Sequence, residues 1–145
     1  MEITVGAMIR LARMADLPGI LQCLEALAPV EISAQAAYHV WEEMVRRSGM
    51  LYVVQVDARV VGTATLILER KLIHGGGVAA RIEDVAILKE EQRIGYGTLL
   101  VAYVAQEAKD CGAYKVTLSC SKDHERFYER IGFKCYETEM RIDSK

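Results

Sequence analysis

The chain has no block of like charge. Its 18 lysines and arginines and 20 aspartates and glutamates are dispersed along 145 residues, leaving a formal net charge of −2. A nucleic-acid binder gathers basic residues into a stripe or patch, so nothing marks that class here. Long apolar runs are also missing. The longest, around residues 99–105, is too short to span a bilayer. The opening MEITVGAMIR has no basic segment followed by an apolar one, so no secretory signal is expected. The four cysteines (Cys23, Cys111, Cys120, Cys135) lie far apart, with no C-x-x-C and no paired histidines. That spacing predicts free thiols in a reducing compartment, and neither zinc nor disulfides. The phosphate loop G-x-x-x-x-G-K-[ST] is absent, which removes a nucleotide phosphotransferase. With no internal repeat, low-complexity stretch or linker, residues 1–145 are expected to form one domain. The expected compartment is the cytoplasm. The ending Asp143-Ser144-Lys145 lacks the leucine that would complete a peroxisomal address.

What the chain does have is concentrated between Arg81 and Leu100, RIEDVAILKEEQRIGYGTLL. Residues 82–87 read as a buried strand carrying two adjacent carboxylates, Glu83 and Asp84. The turn Gln92-Arg93-Ile94-Gly95-Tyr96-Gly97, a Q-x-x-G-x-G pattern, then leads into an amphipathic helix. Glycine lets the backbone approach a ligand, and the first amides of a helix point outward with no partner within it. Such a turn suits a pyrophosphate, although the same pattern also serves as an ordinary helix start. Its position beside two carboxylates suggests a nucleotide-like cofactor next to acid–base chemistry.

The rest of the chain alternates between two periods. Residues 7–14 read as a strand. Asp16 is placed to cap a first helix, with Pro18 in its first turn and Leu17, Ile20, Leu21, Leu24 and Leu27 on one face. Ser33 is placed to cap a second helix, with Tyr38, Trp41, Met44 and Val45 inward. Residues 50–56 and 60–69 form a hairpin about Asp57-Ala58-Arg59. A glycine loop at His74-Gly75-Gly76-Gly77 leads to a strand at residues 80–87. A helix over 95–109, a strand over 115–119, a short helix over 123–130 and a last strand over 133–142 complete the pattern. The order is β-α-α-β-β-β-α-β-α-β, a mixed sheet covered by helices.

That order, with Q-x-x-G-x-G after the fourth strand, resembles the GNAT superfamily of acyl-CoA-dependent N-acetyltransferases. Four further segments narrow the resemblance to the glucosamine-6-phosphate N-acetyltransferases. They are Glu69-Arg70-Lys71-Leu72-Ile73-His74, Ile82-Glu83-Asp84-Val85-Ala86, Gly112-Ala113-Tyr114-Lys115 and Phe127-Tyr128-Glu129-Arg130-Ile131-Gly132-Phe133. The ending Glu139-Met140-Arg141-Ile142 is also similar. The resemblance is close from about Val61 onward and weaker before it.

The resemblance implies an α/β GNAT fold, with a mixed central sheet of six to seven strands flanked by four helices. It implies acetyl transfer from acetyl-CoA to the 2-amino group of glucosamine 6-phosphate, in UDP-N-acetylglucosamine biosynthesis. It further implies direct attack without an acyl-enzyme, no metal, and a homodimer with shared sites. The amides of Arg93, Ile94, Gly95, Tyr96, Gly97 and Thr98 would hold the pyrophosphate, and the backbone of Val85, Ala86 and Ile87 would pair with the pantetheine arm. Glu83 would receive the amine proton through water, Asp84 would bind the sugar, and Tyr128 would protonate the departing sulfur. Arg70, Lys71, Leu72, Ile73, Val85, Tyr114, Lys115 and Arg141 are the further substrate candidates, and His124 a further cofactor candidate. Ser119 stands where the family usually has a carboxylate, Asp143 where it has an arginine, Ala28 where some relatives have a threonine, and His124 where an asparagine is usual. Two alternatives stay open: a GNAT enzyme for another amine, and a non-catalytic acetyl-CoA-binding module. The basic pair Arg70-Lys71 disfavours a polycationic substrate.

Overall fold

A computed structural model describes residues 6–144. Five strands form one sheet in the order β1 (Ala7–Leu11), β2 (Gly49–Val56), β3 (Arg59–Arg70), β4 (Val78–Ile87) and β5 (Ala113–Thr117). The first three pairings are antiparallel and the last is parallel. A parallel neighbour needs a long crossover. The helix α4 (Tyr96–Asp110) supplies it between β4 and β5. The other helices are α1 (Leu17–Leu24), α2 (Ala34–Arg46), the single turn α3 (Ile73–Gly76) and α5 (Glu125–Ile131).

Both faces of the sheet are covered. Tyr52, Val54, Ala64, Leu66 and Ile82 pack with Leu100, Val101, Val104 and Ala108 of α4. On the other face Leu51 and Val53 meet Leu17 and Ile20 of α1, with Trp41 and Met44 of α2 against them. Burial on both sides explains why β2 and β3 are apolar without strict alternation. Each buried Leu, Ile or Val contributes roughly 2 kcal/mol.

Local chemistry sets the helix ends. Ser33 caps α2 as expected, its hydroxyl accepting from the Ala36 amide at 3.1 Å. Asp16 does not cap α1. Its carboxylate accepts from the Arg13 amide at 2.7 Å and from two Arg10 nitrogens at 2.7 and 2.9 Å. It therefore closes the short 3-10 turn before α1. The Arg10 hydrogen bonds hold this buried carboxylate below its ordinary pKa.

Further expectations are corrected. Leu27 and Val45 are exposed rather than inward. Leu27 lies past the end of α1, and Val45 lies off the Ala37, Trp41, Met44 stripe that faces the sheet. Five helices rather than four are present, because the glycine loop contains the turn α3, inside which His74 and Gly75 have left-handed φ of 54° and 66°. Among the described residues the sheet has five strands, not six to seven, and residues 133–142 form no strand. Tyr136, Met140 and Ile142 there are 91%, 90% and 96% exposed. A strand needs a neighbouring edge for its hydrogen bonds, and sequence pattern cannot say whether one is present.

Candidate active site

The site is built on β4, which two irregularities shape. Thr65 pairs with Glu83 and Thr63 with Ala86, so Ala64 alone stands opposite Asp84 and Val85. This is a β-bulge, and Asp84 takes a left-handed φ of 51° in it. Regular alternation would point Ile82, Asp84 and Ala86 to the same face. Ile82 does lie in the core beneath α4, whereas Ala86, opposite Thr63 beyond the bulge, is buried on the other face. Asp84 instead lines a cavity of about 270 Å³ with Thr63, Thr65, Leu17, Ile20 and Trp41, between the sheet and the first two helices. The bulge thus moves a carboxylate from the core face to a cavity. Desolvation there, followed by repulsion from Glu83, pushes the Asp84 pKa up, although the residue keeps access to solvent at the cavity edge.

The second irregularity is a split between neighbouring strands. Arg81 is the last β4 residue with a β5 partner, Thr117, while β4 runs on to Ile87. From Ile82 onward that edge of β4 has no strand beside it among the described residues. Its amides and carbonyls are therefore offered to an extended ligand, as in strand addition. Val85 and Ile87 pack against the core as partly buried residues, and Ala86 is buried.

The split leads directly into the glycine turn. Gln92 donates from its side-chain amide to the Ile87 carbonyl at 3.0 Å, tying the turn to the strand end. Gly95 has φ 111°, a conformation L side chains rarely adopt. Gly97 is needed for a different reason: a Cβ there would meet the Phe127 ring at 3.2 Å. The two fixed glycines thus shape the turn and let α5 pack close. Arg93 (φ 66°) and Ile94 are exposed on the turn, Tyr96 is buried beneath it, and Thr98 lies in the first turn of α4. The early amides of α4 and the positive end of its dipole lie at this turn.

Tyr128 sits on α5, edge-on to Phe127 (4.9 Å between centroids) and Phe133 (6.0 Å). It packs against the same core as Val85 and Ile87. Burial first, then neighbouring Cys120, raises its pKa, so the hydroxyl keeps its proton at neutral pH. His124 precedes α5 and its Nδ1 lies 3.0 Å from the Ser121 hydroxyl.

Glu83 and Ser119 are brought together by a residue that sequence reasoning passed over. Arg81 donates to Glu83 at 2.7 Å, to the Ser119 hydroxyl at 2.7 Å and to Glu139 at 2.9 Å. The remaining substrate candidates lie apart from this group. Arg70 is exposed at the end of β3, and the Lys71 ammonium is taken by Glu69 at 2.8 Å. Leu72 and Ile73 are exposed. Tyr114 stacks on His74 at 4.6 Å, with the Lys115 ammonium 5.8 Å above its ring. Arg141 pairs with Asp143 at 2.7 Å in the C-terminal segment. Glu125, Glu129 and Cys135 bring possible metal-ligand atoms within 4.8 Å of one another, an acidic grouping outside this site.

Comparison with known proteins agrees with this geometry. The acetyltransferase (GNAT) family model matches residues 18–133. A glucosamine 6-phosphate N-acetyltransferase of Schizosaccharomyces pombe is 40% identical over 57% of this chain and 74% of its own length. One from Trypanosoma brucei brucei is 35% identical over 70% of this chain and 71% of its own. The crystal structure of a Trypanosoma brucei acetyltransferase superposes with a TM-score of 0.87 at 30% identity, covering 94% of this chain and 99% of that one. A bulged, split fourth strand running into a glycine-led helix, matched by these similarities over most of the chain, places this protein in the acetyltransferase (GNAT) family, among the glucosamine 6-phosphate N-acetyltransferases.

Proposed function

We infer that this chain transfers the acetyl group of acetyl-CoA to the 2-amino group of glucosamine 6-phosphate. The observation that carries the reading is the free edge of β4 beyond Arg81, leading into the Gln92–Gly97 turn with the Asp84 bulge between them. The named relatives supply the substrate. Residues 1–145 act as one N-acetyltransferase domain.

Acetyl-CoA lies along the free edge, its pyrophosphate against the amides of Arg93 to Thr98 and its pantetheine beside Val85, Ala86 and Ile87. The amine must attack as the free base. Asp84 holds the sugar at the cavity edge, and Glu83 takes the amine proton through a water. The nitrogen forms its bond to the acetyl carbon, the C–S bond breaks, and the electron pair leaves on sulfur. Tyr128, protonated at neutral pH, donates to that thiolate. The chemistry requires no acyl-enzyme and no metal. The product, N-acetylglucosamine 6-phosphate, enters UDP-N-acetylglucosamine biosynthesis. Arg70, Lys71 and Lys115 are the cations offered to the sugar phosphate. The exposed apolar residues of the C-terminal segment, Tyr136, Met140 and Ile142, are the surface for a second copy in a homodimer.

CoA release from acetyl-CoA tests the reading, with glucosamine 6-phosphate, glucosamine and spermidine as separate acceptors. Release that depends on glucosamine 6-phosphate is the expected result. Release with spermidine alone moves the substrate to another amine. Acetyl-CoA binding without release for any acceptor favours a non-catalytic module.

A further inference from the structure

Arg81 joins three segments of chain that are remote in sequence. Its Nε donates to Glu83 Oε1 at 2.7 Å, and its Nη2 donates to Ser119 Oγ at 2.7 Å and to Glu139 Oε1 at 2.9 Å. One guanidinium therefore links the site carboxylate on β4, the chain just past β5 and the C-terminal segment. The side chains are partly open to solvent: 37% for Arg81, 41% for Glu83 and 59% for Glu139. Exposed pairs of this kind add about 0–1 kcal/mol each to stability. Their geometric effect is larger. The planar fork of an arginine fixes both direction and distance for the groups it binds. Here one nitrogen is committed to Glu83 while another is anchored by Ser119 and Glu139. Glu83 Oε2 has no protein partner among the described residues and stays free to take a proton.

We propose that Arg81 is a positioning residue for Glu83, and that Glu139 of the C-terminal segment holds Arg81 in place. The inference rests on the reading of Glu83 as the proton acceptor. The Ser119 hydroxyl first, and then the Arg81 charge, keep Glu139 below the ordinary carboxylate range, so it is an anion at neutral pH. Two carboxylates then share one cation through two of its nitrogens. Removing Glu139 leaves Nη2 held by Ser119 alone and the guanidinium with one anionic partner, so Arg81, and Glu83 with it, is less firmly placed. Misplacing a reacting group by about 1 Å costs on the order of 100-fold in rate. The C-terminal segment thereby tunes the chemical step without touching the substrate.

The test compares the full chain with Arg81→Gln, Arg81→Lys, Glu139→Gln, the double Arg81→Gln/Glu139→Gln and Glu83→Gln. Steady-state kcat and KM are measured with glucosamine 6-phosphate, acetyl-CoA affinity by calorimetry, and folding by thermal unfolding. Arg81→Gln is expected to lower kcat about tenfold or more, with acetyl-CoA affinity and unfolding temperature unmoved. Arg81→Lys recovers part of the loss. Glu139→Gln lowers kcat about threefold, and the double variant is no slower than Arg81→Gln, because the two residues act through one path. Unchanged kcat in Arg81→Gln, or losses that multiply in the double variant, overturns the proposal. Glu83→Gln separates the two levels. If it is inactive while Arg81→Gln is fully active, only the positioning role fails. If it is as active as the parent, the reading of Glu83 itself fails. Glu139 lies in an exposed segment, so its variant reports even if Arg81→Gln unfolds.

Discussion

At the residue scale, the site combines groups that sequence reveals with groups that only folding reveals. Glu83, Asp84 and Tyr128 stand in short segments whose composition and order resemble one family, so they were legible in the chain. Arg81 and Glu139 were not. Their contact spans 58 positions, and each reads alone as a charge on a surface. The Asp84 bulge was also hidden, since a left-handed aspartate leaves no mark on a strand-like pattern. Tyr128 gives the sharpest test at this scale. Tyr128→Phe removes the hydroxyl and keeps the ring packed between Phe127 and Phe133. Turnover is expected to fall on the order of 100-fold with acetyl-CoA affinity unchanged by calorimetry. Wild-type turnover removes its assigned role. Because burial raises its pKa, no loss of activity through tyrosine ionisation is expected below about pH 10, the ordinary tyrosine value. A second test concerns stability. Asp16→Asn breaks a charge-assisted network with Arg10 and the Arg13 amide, and denaturant unfolding is expected to show a loss of about 2 kcal/mol. The Asp16 pKa is lowered in the folded state, so its contribution is full above the unfolded value near 3.8. It disappears as pH falls through the lowered folded value. Equal stability of Asp16→Asn and the parent at pH 7 contradicts this.

At the scale of elements, the order of strands and helices through α5, apart from the single turn α3, was readable from changes in hydrophobic period and from Ser33, Pro18 and the glycines. The glycine turn stood out in the sequence, and the structure gives separate reasons for its spacing: φ at Gly95, close packing at Gly97, anchoring at Gln92. Gly95→Ala forces an L residue into φ 111°. It is expected to cost about 1–2 kcal/mol in unfolding free energy and to weaken acetyl-CoA binding about tenfold by calorimetry. Unchanged acetyl-CoA affinity would detach the turn from cofactor binding. Two elements were misread: the turn α3 inside the glycine loop, and the last strand. Residues 133–142 carry Tyr136, Met140 and Ile142 in a pattern that suits pairing, yet they pair with no strand of this sheet among the described residues.

At the scale of the whole molecule, that exposed segment is the strongest argument for a second copy. Light scattering is expected to give twice the 16.2 kDa chain mass at micromolar concentration. Met140→Asp with Ile142→Asp is expected to return the single-chain mass, since charges at an apolar contact repel association. A parent that stays at the single-chain mass up to high concentration contradicts the dimer. In the proposed chemistry a free strand edge and a glycine turn hold acetyl-CoA so that Glu83 and Asp84 can work on a phosphosugar amine. The most direct measurement is kcat/KM for glucosamine 6-phosphate against unphosphorylated glucosamine, with the product identified by NMR as the 2-acetamido sugar. A preference of at least about a hundredfold for the phosphosugar is expected, or some 2.7 kcal/mol of discrimination. Equal kcat/KM for the two sugars, or acetylation at a hydroxyl, would contradict it.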